Sequence, residues 1–169
     1  KKHKDTMAPE ITVAVNGALG RMGSTVLSAA AAEKGVTPVG GADIAASSDS
    51  VTISGTSVSV PLASGLRELF QTVKPDVVVD FTNGEASKDA IITCINAGVR
   101  VVSGSTGLSP DDLKEIERLA AEKEVGVISA SNFALGAVVL MHLASIASKY
   151  FDYADWLESH HEMKVDAPS

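Results

Sequence analysis

The segment Glu158-Ser159-His160-His161-Glu162-Met163-Lys164-Val165-Asp166 gathers two adjacent histidines, a lysine and three carboxylates in one short stretch. A histidine can move a proton near neutral pH, and a lysine can hold a carboxylate or protonate a reacting atom. His160 and Lys164 could face one pocket if a strand ends in a turn between them. They are then candidates for acid–base work on an anionic substrate. A metal site is the weaker reading. Adjacent histidines on a strand point to opposite faces, no cysteine is near, and no H-x-x-x-H spacing occurs. A polar strand end in solvent also accounts for the segment, and the residues alone leave both readings open.

A second chemistry-bearing run is Gly17-Ala18-Leu19-Gly20-Arg21-Met22-Gly23. It leaves the apolar run Ile11–Val15 and opens an alanine-rich stretch. Glycines there permit a tight turn and a close backbone approach to a pyrophosphate. The free N–H groups and dipole of the following helix favour its negative charge, and Arg21 could add a side-chain contact. A glycine turn that merely packs a helix on a strand has the same letters. Its place between a first strand and a first helix favours dinucleotide binding. Asp43 closes the second strand, where a carboxylate can accept from the adenosine ribose hydroxyls and would repel a 2′-phosphate. Ile44-Ala45-Ala46 follow it, with no arginine or lysine, so the expectation is a preference for NADH over NADPH.

Three later strand ends carry groups that could flank a bound ring. They are Asp80-Phe81-Thr82, Ser103-Gly104-Ser105-Thr106-Gly107 and Ala130-Ser131-Asn132-Phe133. On spacing alone the second is better read as a strand-to-helix turn, and the third is by itself a weak signal.

These loops need elements to hold them. Apolar runs predict strands at 11–15, 37–43, 76–81, 99–103 and 125–129. Helices are predicted at 20–34, 64–71, 85–97 and from Ser109 to about Lys123, with a long apolar one at 133–150. Ser109-Pro110-Asp111-Asp112 combines a cap, a first-turn proline and two acids at the positive dipole end. The serine- and threonine-rich stretch 44–60 reads as a loop with a short extended piece at 58–60, and 153–160 reads as a further strand. Strands alternating with helices imply an α/β fold, a Rossmann-like parallel sheet with helices on both faces. Residues 1–10 read as a polar leader or an appended remnant, 11–132 as the dinucleotide-binding domain, and 133–169 as the start of a second domain.

The 169 residues suffice for one domain with a core and part of another. With 45% hydrophobic and 21% charged residues, the composition is that of a globular chain. A formal charge of −7 argues against nucleic acid or an anionic membrane as the main partner. The lone Cys94 allows no internal disulfide and fits a reducing compartment, a bacterial cytoplasm or a plastid stroma. No apolar run reaches the roughly 18–20 residues of a membrane span.

Taken in order, these motifs resemble the dihydrodipicolinate reductase family. The resemblance covers Ile11 to Ser169, and its most specific part is Glu-Ser-His-His-Glu-Met-Lys-Val-Asp-Ala-Pro-Ser. It implies an NAD(P)H-dependent oxidoreductase that reduces 4-hydroxy-tetrahydrodipicolinate to tetrahydrodipicolinate, in the diaminopimelate route to lysine. By the same resemblance Gly17, Ala18, Leu19, Gly20, Arg21 and Met22 cradle the pyrophosphate, and Asp43 takes the ribose. Gly104, Ser105 and Thr106, with Ala130, Ser131, Asn132 and Phe133, flank the nicotinamide. His160 is the acid–base histidine, Lys164 the proton donor and His161 a substrate-binding residue. No metal is implied. Ser105 stands where the family carries threonine. The family's chain continues past Ser169 into a substrate domain that forms a homotetramer, so a truncated α+β substrate and tetramerisation domain is expected here. A non-catalytic dinucleotide-binding module of the same family is the alternative, and an unrelated Rossmann dehydrogenase a more distant one.

Overall fold

A computed structural model describes residues 10–130, 132–155, 157 and 159 of the chain. Twelve elements follow in order: β1 (Ile11–Asn16), α1 (Arg21–Ala32), β2 (Val36–Ala42), β3 (Ser50–Thr52), β4 (Ser59–Ala63), α2 (Leu66–Leu69), β5 (Val77–Asp80), α3 (Gly84–Ala97), β6 (Arg100–Ser103), α4 (Pro110–Lys123), β7 (Val127–Ser129) and α5 (Leu135–Ala147). The chain divides into two compact units, Lys1–Ser131 and Asn132–Ser169. No helix among the described residues is long and apolar enough to cross a membrane.

The first unit is built on one seven-stranded sheet in the order β3-β4-β2-β1-β5-β6-β7. All neighbours pair in parallel except β3, which runs antiparallel on β4. Numbered among themselves, the six parallel strands lie 3-2-1-4-5-6, the Rossmann order, with its reversal between β1 and β5. Burial on both faces explains the near-continuous apolar strands. Along β1, Val13 and Val15 join a cluster with Leu27, Ile53 and Leu62, while Ala14 joins Val78, Ile91, Ile95 and Val101 in another. Pro38 lies inside β2, where it has no N–H for the ladder. The β1–β2 register slips between Val13 and Ala14, next to the row in which Val13 pairs with Pro38.

Two expectations are corrected here. The extended piece expected at 58–60 is the start of β4, but the rest of 44–60 is not all loop, because β3 lies within it. Ser50-Val51-Thr52 is too polar to read as a strand, yet as an edge strand it buries only one side, and Ile53 just beyond it enters the core. The strand expected from Tyr153 is not formed over 153–155, which are irregular. A strand exists through its ladder partner, and these residues have none among the described ones. In the second unit, α5 buries none of its residues, and its apolar side chains, such as Leu135 and Met141, are exposed.

Helix α4 starts where Ser109 and Asp112 form a reciprocal capping box. Asp112 also receives Lys88 of α3 at 2.7 Å, and Lys88 reaches Glu115 at 2.8 Å. Lys88 first, and then the Ser109 hydroxyl and N–H, hold the Asp112 carboxyl well below the usual carboxylate range. A depressed carboxyl stabilises the fold above its unfolded pKa and loses that contribution as pH falls through the folded value. The α3–α4 link therefore persists into strongly acid solution. Ser109→Ala removes the cap and is expected to cost about 1 kcal/mol in a urea unfolding curve; an unchanged midpoint would count against the capping role.

Candidate functional site

The register places Asn16, Asp80 and Ser103 side by side at the carboxyl ends of β1, β5 and β6. Asp80 is wholly buried. Its Oδ1 accepts from Asn16 Nδ2 and Thr82 Oγ1, both at 2.8 Å. Its Oδ2 accepts from the hydroxyls of Ser87 (2.6 Å), Ser105 (2.8 Å) and Ser103 (2.9 Å). Five neutral donors thus satisfy one buried carboxylate, with no ion pair to it among the described residues. Ser105 carries the network onward by accepting from the Thr82 N–H at 2.8 Å. The loops after β5 and β6 are thereby tied to each other and to the end of β1.

The glycine loop is anchored just as closely. Gly17 has φ +77°, and a Cβ there would lie 2.8 Å from the Phe81 carbonyl oxygen. At Gly23 a Cβ would lie 2.0 Å from the Gly17 oxygen, so only glycine lets α1 start this close to the loop. Gly17 and Ala18 donate their N–H groups to the Ala42 carbonyl. No side chain caps α1, and the N–H groups of Arg21, Met22 and Gly23 find no acceptor among the described residues. Those first-turn donors, beside a backbone bare of Cβ atoms, fit a pyrophosphate.

Asp43 lies one residue beyond β2. Its Oδ2 accepts from the Leu19 N–H and its Oδ1 from the Ala45 N–H, each at 2.9 Å. The carboxylate therefore holds the glycine loop in place, and each oxygen keeps a lone pair for a ribose hydroxyl.

A cleft of about 410 Å³ opens at the reversal of strand order. Gly17, Gly20 and Asp43 line it together with Arg67 after β4, Phe81 to Asn83 after β5, and the α3 stripe Ala86, Asp89, Ala90 and Thr93. The small alanines at that helical spacing leave room for a flat group. Thr93 is buried, and its Oγ1 has no hydrogen-bond partner.

The residues singled out from the sequence are placed as follows. Gly17, Gly20 and Asp43 share the cleft. Ala18 is buried beneath the loop, while Leu19, Arg21 and Met22 are exposed on it. Gly104, Ser105 and Thr106 follow β6 but are not walls of the cleft, and the Ser105 hydroxyl is already engaged at both ends. Ala130 is tied to Ser103 through its N–H. Asn132 and Phe133 belong to the second unit, where Asn132 Oδ1 accepts from the Ala134 N–H at 2.9 Å. Ser131, His160, His161 and Lys164 lie outside the described residues.

Sequence reasoning missed the buried role of Asp80 and the places of Arg67 and Thr93. The first had a faint signal, an acid at a strand end with hydroxyl residues nearby. The other two had none.

Residues 11–133 match the family model described as dihydrodipicolinate reductase, N-terminus. The chain is 43% identical over 159 residues to the 4-hydroxy-tetrahydrodipicolinate reductase of Dehalococcoides mccartyi (strain CBDB1), covering 94% of this chain and 60% of the relative. It is 41% identical over 165 residues to the enzyme of that name from Syntrophomonas wolfei, covering 96% and 62%. A dipicolinate-bound dihydrodipicolinate reductase from Paenisporosarcina superposes with a TM-score of 0.78 at 34% identity, covering 94% of this chain and 61% of that one. The chain thus spans about 60% of the length of the relatives it matches.

Asp80→Ala should strand several buried donors at once. The expected loss is on the order of 3 kcal/mol or more in chemical denaturation. Asp80→Asn should cost less, since serine hydroxyls can rotate to accept from the new amide. Equal costs for the two variants would contradict a hydrogen-bonded hub.

Proposed function

The chain belongs to the dihydrodipicolinate reductase family, and we propose from this premise that it supplies the dinucleotide site and the first catalytic residues of an NAD(P)H-dependent reductase. The substrate on this reading is 4-hydroxy-tetrahydrodipicolinate, a small dicarboxylate, and the product tetrahydrodipicolinate, on the way to lysine. The observation that carries the proposal is the cleft at the strand-order reversal, with a glycine loop, uncapped N–H groups and Asp43 arranged around it.

The bound cofactor would supply the hydride. The residues of the chain bind, orient and protonate. The first-turn N–H groups of α1 hold the pyrophosphate, aided by Arg21. Asp43 takes the ribose hydroxyls with its remaining lone pairs, and its charge sets a preference for NADH over NADPH. Gly104, Ser105 and Thr106 flank the nicotinamide end together with Ala130 through Phe133. Because the Ser105 hydroxyl is committed to Asp80 and Thr82, it contributes loop position rather than a ligand contact. His161 binds a substrate carboxylate. His160 and Lys164 stabilise charge developing on the substrate, and Lys164 delivers the proton. The setting is a reducing one, cytoplasmic or plastid-stromal, and the working assembly a homotetramer of the family type. The alternative, a dinucleotide-binding module without turnover, is favoured by no specific observation.

Two measurements test this reading. Fluorescence titration should give a lower Kd for NADH than for NADPH, and tighter NADPH binding would overturn the assignment to Asp43. In an assay following substrate-dependent loss of NADH, Lys164→Ala is expected to lower kcat by about 100-fold or more while leaving the NADH Kd within about twofold. Unchanged turnover would remove Lys164 from the mechanism.

A further inference from the structure

The cleft that holds Asp43 carries one basic side chain among its described walls, Arg67, in α2 just after β4. Directly after Asp43 come Ile44-Ala45-Ala46, with no cation among them. The sheet order places the end of β4 next to the end of β2, with Gly41 and Ala42 paired to Leu62 and Ala63. Asp43 itself donates its N–H to Ala63. Arg67 follows four residues later, so the missing cation arrives through the neighbouring strand instead of the adjacent sequence.

Arg67 is held but not committed. Its Nη2 donates to Asp89 Oδ1 at 2.7 Å, and both side chains are well exposed, at 71% and 64%. Exposed ion pairs are screened by water and open at little cost. Asp89 stands on α3 in the same wall as Ala86, Ala90 and Thr93. A guanidinium presents a planar fork of donors suited to phosphate oxygens. A dianionic group entering the cleft would compete with the single carboxylate for that fork.

We propose that Arg67 is the 2′-phosphate receptor of this site, and that Asp89 holds it aside when the ligand lacks that phosphate. The ligand class is a 2′-phosphorylated adenosine, as in NADPH. Asp43 then sets the preference for the unphosphorylated cofactor, and the Arg67–Asp89 pair sets how much of the phosphorylated one is admitted. The inference rests on the reading of the cleft as the adenosine end of a dinucleotide site.

The test uses four ligands on the chain by calorimetry: NADH, NADPH, 5′-AMP and adenosine 2′,5′-bisphosphate. Arg67→Met keeps the apolar stem and removes the fork. It should weaken NADPH and the bisphosphate by about tenfold or more and move NADH and 5′-AMP by less than about twofold. Arg67→Lys should recover part of the loss. Asp89→Asn should tighten only the two 2′-phosphorylated ligands, and that gain should vanish when combined with Arg67→Met. Equal weakening of all four ligands by Arg67→Met would make Arg67 a base-stacking or structural residue and overturn the proposal. A gain from Asp89→Asn that survives without Arg67 would show simple charge repulsion and overturn the holding role. Failure of the unaltered chain to bind any of the four would overturn the dinucleotide reading itself, a result distinct from the other two.

Discussion

A buried carboxylate with no cation paired to it among the described residues is the constraint around which the carboxyl ends of this sheet are arranged. A charge in such a place is tolerated only when its lone pairs are filled. Asp80 has five donors, drawn from β1, the loop after β5, α3, β6 and the loop after β6. Hydrogen bonds to an ionised acceptor are stronger than neutral ones. Each bond therefore also fixes an element in space, and removing the carboxylate would loosen all of them together. The same charge acts on Cys94. Burial first, and then the field of Asp80, push that thiol up to about 12. A thiol so far from its thiolate is an inert core residue, so thiol chemistry has no part in this unit.

Asp43 repeats the device at the surface. Its carboxylate takes the Leu19 and Ala45 N–H groups, while the Ala42 carbonyl takes those of Gly17 and Ala18. The glycine loop is thus held from the β2 side, and its close approach to α1 is made possible by the absence of a Cβ at Gly23. The first-turn N–H groups of α1 are left over by this arrangement. They are preorganised donors that suit an anion, in a chain whose net charge is −7. Backbone dipoles fixed in place need no excess of lysine or arginine, which is how an acidic surface and an anionic ligand can coexist.

The sequence made the frame legible where local and global signals agreed. Strands β1, β5 and β6 are apolar because both their faces are covered. Helix α4 announces itself through the Ser109 box, and α3 ends at Gly98, which adopts φ +72°. The edge strand β3 was hidden because a strand buried on one side can be written in serine and threonine. Over 153–155 the strand expected from Tyr153 is absent for the converse reason, since composition suggested a strand that no described partner completes. The glycine loop and Asp43 were legible because their geometry is local in sequence, and the structure brings Gly17, Gly20 and Asp43 to one cleft. The Asp80 hub was not, since its donors are scattered from Asn16 to Ser105 and meet only through the sheet register.

Arg67 shows that a fingerprint based on spacing can overlook a cation in the cleft. A rule that reads the residues after the second strand assumes that a cation must be a neighbour in sequence. In a 3-2-1-4-5-6 sheet the third strand runs beside the second, and the loop at its end opens onto the same cleft. A cation can come from after either strand and leave quite different traces in the sequence. The charge inside the cleft is a balance of Asp43 and Asp89 against Arg67. That balance belongs to the topology and is set only when β4 pairs with β2.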